Sequence, residues 1–273
     1  MTPVAQSAGT DKEPTLVGSG VNSGASGLSG SRGGVVSTLS SFKELFAGRH
    51  FEREVIILCV LSYLRHKLNF GDQVKMMAEL RLDLAHMTIL RWVRRYTPEF
   101  DKRWNRFGRT AGRSRRVDET YIKVRGHWRY PYRAADKAGQ TIDFRLSRTR
   151  DVARAKAFFK NAIRHEGRSP HTITLDDHAT SDRADREMRT DGLLPKRTVV
   201  RSSKYLNNLI EQDHRGVKSR TQPMRGFKNF ESAAIAIAGV ELFRRIHKDQ
   251  FALSQLRLKS QAAPAIWNAV LVA

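Results

Sequence analysis

The sequence is poor in cysteine, in acidic residues and in long apolar runs, and each shortage excludes a class of protein. A single cysteine, Cys59, among 273 residues excludes an intramolecular disulfide and argues against a zinc site. Its apolar surroundings, VIILCVLSYL, favour a buried thiol in a reducing compartment. That run is too short to cross a bilayer, and no secretory signal pattern precedes it. These features predict a cytoplasmic protein with no membrane partner.

The shortage of acidic residues gives the chain a strong positive charge. Lys and Arg number 49 against 27 Asp and Glu, so the formal net charge is +22 and the pI is near 10.8. Within residues 1–40 the few charges cancel, and the whole excess belongs to the rest of the chain. DNA is therefore the expected partner. An anionic membrane surface explains the charge less well, because no single amphipathic helix concentrates it.

Composition and periodicity divide the chain into four regions. Residues 1–41 are rich in Gly and Ser, which predicts a disordered extension. Residues 42–107 show helical periodicity, and residues 108–252 alternate between strand and helix patterns. Residues 253–273 form an apolar tail that could pack on the body or on a second subunit.

The helical region has the outline of a helix-turn-helix DNA-binding domain. A helix in GDQVKMMAELRL is followed by a turn and by a second helix in LAHMTILRWVRRYTPEFDKRW. Arg91, Arg94 and Arg95 lie on this second helix, which would enter the major groove. A solvated basic surface is the competing interpretation. Thr88 is the predicted cap of the helix, and Pro98 is expected to bend or end it.

The third region predicts an α/β domain with a mixed sheet. VDETYIKV, HWRYPYRAAD and QTIDFRLSR alternate with period two, and DKAG suits a tight turn between the second and third strands. A helix should begin at Asp151 and end at Gly167. Further strands in HTITLDD and RTVVRSS alternate with helices, so helices are expected on the faces of the sheet.

Carboxylates fall at places where a metal site could form. Alternation puts Asp118 and Glu119 on opposite faces of the first strand, and by itself does not choose between them. Asp176 ends a strand at the edge where α/β sheets place ligands, although an Asp there is often a turn or cap residue. Glu211 has Arg215 four residues further along one helix face, which by itself indicates a surface ion pair.

Three carboxylates from two strands and a helix suit hard divalent cations. Mg²⁺ prefers oxygen ligands and leaves coordination sites for phosphate and water. Two Mg²⁺ ions, for which Mn²⁺ can substitute, would activate the attacking oxygen and stabilise the leaving one in a phosphoryl displacement. Basic residues beside them, Arg215 and Lys218, would hold the DNA backbone.

The chain resembles the bacterial insertion sequence 6 family of DDE transposases. The resemblance runs from Phe42 to about Phe251, through TILRWVRRYTPEF, VDETYIKVRGHWRYPYRAADKAGQTIDF, TLDDHA, YLNNLIEQDHRGVKSRTQPMRGFKNFESA and AGVEL. It implies a ribonuclease-H-like domain with a mixed five-stranded sheet flanked by helices. It also implies that Asp118, Asp176 and Glu211 are the catalytic, metal-binding triad. The interval of 34 residues between Asp176 and Glu211 is similar to the interval in the family.

The resemblance extends to a basic residue, and the chain also departs from the family pattern. Lys218 matches the basic residue that accompanies the triad, and is expected to contact DNA near the cleavage site. Asp177 and His178 replace a pair that is non-acidic in many relatives, so Asp177 either disturbs the site or points away. His214, three positions after Glu211, has two open interpretations: a place near the metal site, or a contact with phosphate or solvent, which is the expected one.

The resemblance implies a transposase that binds the terminal inverted repeats of its element and transfers the cleaved strand to target DNA. It further implies replicative joining into cointegrates by a homodimer or higher homo-oligomer. Two alternatives remain open: an inactive remnant that represses its element, and a nuclease of the same fold. Trp104, Trp128 and Trp267 are expected to be core residues or packing anchors rather than surfaces on which bases stack.

Overall fold

The structure is a computed structural model that describes residues 41–175, 179–202, 208–224, 226–254, 256 and 263–273. The predicted extension lies outside the described residues except for Ser41, and so do Asp176, Asp177 and His178. The helices are α1 (Phe42–Phe46), α2 (Arg53–Arg65), α3 (Phe70–Glu79), α4 (His86–Asn105), α5 (Val152–Glu166), α6 (Ala179–Thr190), α7 (Asn208–Thr221), α8 (Phe230–His247) and α9 (Ala263–Val272). The strands are β1 (Ser114–Glu119), β2 (Ile122–Val124), β3 (His127–Asp136), β4 (Thr141–Ser147), β5 (Thr172–Leu175) and β6 (Val199–Ser202).

The sheet has the predicted mixed, ribonuclease-H-like arrangement. Five strands run in the order β4–β3–β1–β5–β6. Strand β3 pairs antiparallel with both β4 and β1, whereas β5 pairs parallel with β1 and β6 pairs parallel with β5. The sequence predicts β2 as part of β1. In the structure the strand is interrupted after Glu119, and β2, the sixth strand, continues the pairing along β3. The register with β3 is the same on both sides of the interruption, because Glu119 pairs with Tyr132 and Ile122 pairs with Arg129.

Helices cover the sheet on two sides, which gives two hydrophobic cores. On one side α5 and α6 pack on the sheet around Phe158 and Met188. Helix α5 begins and ends as predicted: the Asp151 side chain accepts a hydrogen bond from the Arg154 backbone N–H, and Gly167 has a left-handed φ of 65°. The second core joins α2, α3, α4, α7, α8 and α9, and it contains the buried Cys59.

Helix α4 begins before Thr88 and continues past Pro98. The helix begins at His86 after Ala85, and Thr88 lies inside it, donating its backbone N–H to the Ala85 carbonyl. Pro98 does not end the helix, which continues to Asn105. A proline inside a helix costs about 3 kcal/mol. We attribute the continuation to apolar burial on both sides of Pro98, from Ile89 to the fully buried Trp104.

The carboxy-terminal segment packs on the body of the same chain. Trp267 of α9 contacts Trp104, with ring centroids 5.0 Å apart, and also Phe100 and Phe243. The Arg103 guanidinium donates a hydrogen bond to the Leu271 carbonyl. Burial of Trp104 and Trp267 confirms their predicted packing role. Within the part of the chain that the structure describes, no helix has the length and apolar character needed to cross a membrane.

Candidate active site

Asp118 occupies the fifth position of β1, at the centre of the sheet. It stands opposite Arg133 of β3, while Val117 pairs with Leu175, the last residue of β5. The β1–β5 register therefore brings the end of β5 beside Asp118. Asp176 follows Leu175 in the sequence and lies outside the described residues.

Glu119 points to the other side of the sheet, as alternation requires. Its buried side chain forms an ion pair with Arg150. Burial of the neighbouring Tyr132, and then the negative charge of Glu119, raise the pKa of the tyrosine well above its usual range. Glu119 is therefore part of a structural ion pair on the face that packs against α5, whereas Asp118 faces α7.

Helix α7 brings Glu211 to the Asp118 side of the sheet. Glu211 lies in the first turn of α7, with about half of its side chain exposed, and its Oε2 is 3.5 Å from Nη2 of Arg215. One turn after Glu211, His214 places its Nε2 3.4 Å from Asp118 Oδ2. His214 is only 5% exposed, so the predicted solvent contact is wrong: α7 packs on β1, and this position faces the sheet.

The chemistry of the described donors suits a hard divalent cation. Asp118 and Glu211 offer carboxylate oxygens, the ligand type that Mg²⁺ prefers. Within the described ranges alone, no group of three His, Cys, Asp or Glu side chains is arranged to hold a metal. The remaining member of the predicted triad, Asp176, lies outside those ranges.

A buried ion-pair network, which sequence reasoning missed, fixes α7 and α8 to the sheet. Arg133 is fully buried and pairs with Asp213 of α7, at 3.2 Å, and with Glu241 of α8. Asp213 also binds Arg244 and, at 2.6 Å, Lys248. Burial disfavours the Asp213 carboxylate, but the charge of Arg133 and the hydrogen bonds from Lys248 and Arg244 outweigh it and hold its pKa below the usual range.

In the sequence, this ion-pair network is indicated only by where Arg133 and Asp213 lie. Arg133 lies within the run YPYRAA of β3, between aromatic and small apolar residues, and Asp213 lies two residues after Glu211, on a different face of the same helix. A buried charge requires a partner, yet the sequence does not show which carboxylate supplies it. The network matters for the site because Asp213 and Glu211 are carried by the same turn of α7, and Arg133 is the β3 partner of Asp118.

The predicted DNA-contacting residues lie on accessible faces of the molecule. Arg91, Arg94 and Arg95 are exposed on α4, on the side away from its buried face. Arg94 approaches Glu231 at 3.8 Å, a distance between two exposed side chains that leaves both open to water. Lys218 lies partly buried on α7, with its Nζ 4.5 Å from the centre of the Tyr121 ring.

Of the three tryptophans expected to be core residues or packing anchors, Trp128 is not a core residue, because it is 48% exposed. It lies at the start of β3, beyond the end of β1, where the sheet consists only of β2 and β3. Its indole ring packs against the Tyr121 ring.

Comparison with known proteins establishes the family of the chain. A family model described as a DDE domain matches residues 112–250. Over 203 residues the chain is 35% identical to the transposase for insertion sequence-like element IS431mec of Staphylococcus aureus (strain N315), covering 74% of this chain and 88% of that protein. With the same coverage it is 34% identical to the transposase for insertion sequence element IS257 in transposon Tn4003 of Staphylococcus aureus.

Solved structures include the HTLV-2 integrase catalytic core domain in complex with magnesium (dimeric form). It aligns with a TM-score of 0.34 and 14% identity, over 59% of this chain and 99% of that one. The family assignment rests on the sequence relatives and on the DDE domain match, which covers the sheet, α7 and most of the residues around Asp118. The chain belongs to the insertion sequence 6 family of DDE transposases, which are polynucleotidyl transferases.

Proposed function

We propose that this transposase cleaves a phosphodiester at each end of its element and joins the freed 3′-hydroxyl to target DNA, with Asp118, Asp176 and Glu211 as catalytic residues. The observation that carries the proposal is the packing of α7 on β1, with His214 3.4 Å from Asp118 and Glu211 one turn away. In a chain of the DDE family this is the expected neighbourhood of two triad members. The net charge of +22 supports a polyanionic substrate.

The triad would hold two divalent cations, Mg²⁺ or Mn²⁺, because the donors are carboxylate oxygens. When bound, such ions supply charge neutralisation at the attacking and leaving oxygens of the phosphoryl displacement. The protein residues fix the carboxylates: Asp118 sits within a paired strand, and the Asp213 ion pairs hold the turn that carries Glu211. Arg215 and Lys218 on the same helix would position the DNA backbone.

We assign recognition of the terminal inverted repeats to residues 42–107, and strand chemistry to residues 108–252. Helices α3 and α4 provide the helix-turn-helix outline, with Arg91, Arg94 and Arg95 exposed for DNA. Two element ends must meet before they can be joined to one target, so we propose a homodimer or a larger homo-oligomer. Replicative, cointegrate-forming transposition in the bacterial cytoplasm is the corresponding biological reaction.

A strand-transfer assay tests this function. The wild-type chain and Asp118→Asn would be incubated with labelled element-end duplex and a target plasmid, with Mg²⁺ or with a chelator. We expect joined product only from the wild type with Mg²⁺, because the amide removes a charged metal ligand. Glu119→Gln is the matched neighbour: it lies on the other face and should still join, even if loss of its Arg150 pair lowers stability.

The outcomes separate the proposal from its alternatives. End binding that persists in Asp118→Asn, with joining lost, supports the assigned role. Specific binding by the wild type without cleavage would identify a repressor remnant, and cleavage without joining would identify a nuclease. Equal joining by the wild type and Asp118→Asn would contradict the catalytic role of Asp118.

A further inference from the structure

Two large aromatic side chains stand exposed beside the candidate active site. Tyr121 is 57% exposed and Trp128 is 48% exposed, and their rings meet edge to face with centroids 5.0 Å apart. Tyr121 lies between β1 and β2, three residues after Asp118, and Trp128 pairs with Lys123 across the β2–β3 hairpin. Both rings lie where the β2–β3 pairing extends beyond the end of β1.

Each ring has a lysine ammonium over its face. Lys123 Nζ lies 4.8 Å from the Trp128 ring centre, and Lys218 Nζ lies 4.5 Å from the Tyr121 ring centre. Lys218 is seven residues after Glu211 on α7, a rise of about 10 Å along the helix. We call Tyr121, Lys123, Trp128 and Lys218 the aromatic cluster.

The aromatic cluster lines an open groove of about 480 Å³ between the β2–β3 hairpin and the end of α7. Thr221, Gln222 and Phe227 complete its walls. Among the residues that the structure describes, the charged side chains that line this groove are both lysines, so its charge favours a polyanion. Protein interfaces also use exposed aromatic residues, but they are depleted in lysine. Aromatic rings beside basic side chains are the combination that binds single-stranded nucleic acid.

We propose that the aromatic cluster binds an unpaired DNA base next to the strand that reacts at Asp118. The base stacks on the Trp128 or Tyr121 ring, and Lys123 and Lys218 move from the ring faces to the phosphates on either side. The inference rests on the proposed function for its substrate, an element end held at Asp118. Stacking on an aromatic side chain offsets the loss of pairing and keeps the flanking strand away from the scissile bond.

A binding comparison tests the cluster independently of catalysis. The probes are a labelled thymidine oligonucleotide of about ten nucleotides and an abasic strand of the same length, a size within the range of single-strand sites. We expect the wild type to prefer the strand that carries bases by about 5- to 150-fold, the range for one stacked base. Tyr121→Ala/Trp128→Ala should lose this preference while keeping its affinity for the abasic strand. Trp128→Phe should keep the preference.

Two results would overturn the proposal. The first is equal wild-type affinity for the two strands, and the second is an unchanged preference in the double variant. Circular dichroism spectra are the control for folding, and those of the variants should match the wild-type spectrum. If the double variant changes the sedimentation coefficient of the protein and not its base preference, the cluster is a contact between subunits and the proposal fails.

A joining assay then places the base relative to the cleaved bond. On fully paired element ends, Trp128→Ala should join more slowly than the wild type, and a mismatch at the base that flanks the cleavage position should restore the rate. A wild-type rate for Trp128→Ala on paired ends would contradict the placement beside the reacting strand. Failure of the wild type to join any end would count against the proposed function, and the binding comparison would still decide whether the cluster binds bases.

Discussion

At the scale of single residues, Asp213 and Arg133 hold α7 and α8 on the sheet without taking part in the proposed reaction. Arg133 is fully buried opposite Asp118 and neutralises carboxylates from two helices. Removing one partner of a buried ion pair costs about 3–5 kcal/mol, because the remaining charge loses its compensation. The charges are therefore mutually dependent, and each is needed to keep α7 on the sheet.

Acid should weaken this network in a predictable direction. The Asp213 carboxyl has a lowered pKa in the folded chain, against an ordinary value of 3.8, so its stabilisation is complete above that value and is lost as the pH falls through the folded pKa. Asp213→Asn should unfold with a free energy about 3 kcal/mol lower at neutral pH. Urea titrations should show this difference shrinking below about pH 4.

An exposed carboxylate provides the control for the acid prediction. Asp83 lies on the surface between α3 and α4, so Asp83→Asn should match the wild-type unfolding free energy at neutral pH. If the difference between the wild type and Asp213→Asn stayed constant on acidification, Asp213 would not be the ionised partner that the geometry indicates.

The sequence predicts residues well where their role follows from local pattern. Asp151 and Gly167 cap α5 because capping depends on neighbouring backbone groups, which the sequence shows directly. Trp128 and Arg133 fail this test, since exposure and pairing depend on strands and helices distant in sequence. The family resemblance supplies the triad residues, which spacing alone leaves ambiguous between Asp118 and Glu119.

At the scale of elements, α8 is a central helix on which several other helices pack. It packs against α2, α4 and α7 and contributes Glu241 and Arg244 to the Asp213 network. Gly239 allows this close approach, because a Cβ there would lie 2.7 Å from Leu64 Cδ1 and from Thr97 Cγ2. Sequence periodicity predicts α8 itself, but not which helices it contacts.

Gly239→Ala should therefore destabilise the protein although alanine is the better helix former. Overpacking a core costs about 1–3 kcal/mol, which exceeds the gain of about 1 kcal/mol in helix propensity. Thermal and urea unfolding would measure the loss. Thr97→Ser removes one clashing methyl group, so the double variant should recover part of it. An increase in stability for Gly239→Ala alone would show that α2 and α4 yield at no cost.

At the scale of the whole molecule, the charge of +22 should govern DNA affinity through the release of counterions. Arg91, Arg94 and Arg95 are exposed together on α4, and their removal should weaken binding to element ends. The slope of log affinity against log salt should become less steep by roughly 0.9 for each phosphate that the protein no longer neutralises. Gel-shift titrations at several salt concentrations would measure both quantities.

A matched triple variant distinguishes the effect of the proposed recognition surface on α4 from the effect of net charge alone. Arg154, Lys160 and Arg164 are exposed on α5, and replacing them with alanine removes the same three charges. We expect this variant to retain discrimination between element ends and unrelated duplex. If both triple variants lost specific binding equally, α4 would not be the recognition helix.

The shared core of α4 and α8 has a practical consequence for protein engineering. Chimeras between relatives are commonly joined at a domain boundary, and the sequence suggests one near residue 107. A graft made there would separate Trp104 from Trp267 and Thr97 from Gly239. If α4 is the recognition helix as proposed, exchange of end specificity between transposases of this type therefore requires the matching faces of α8 and α9 to be transferred with it.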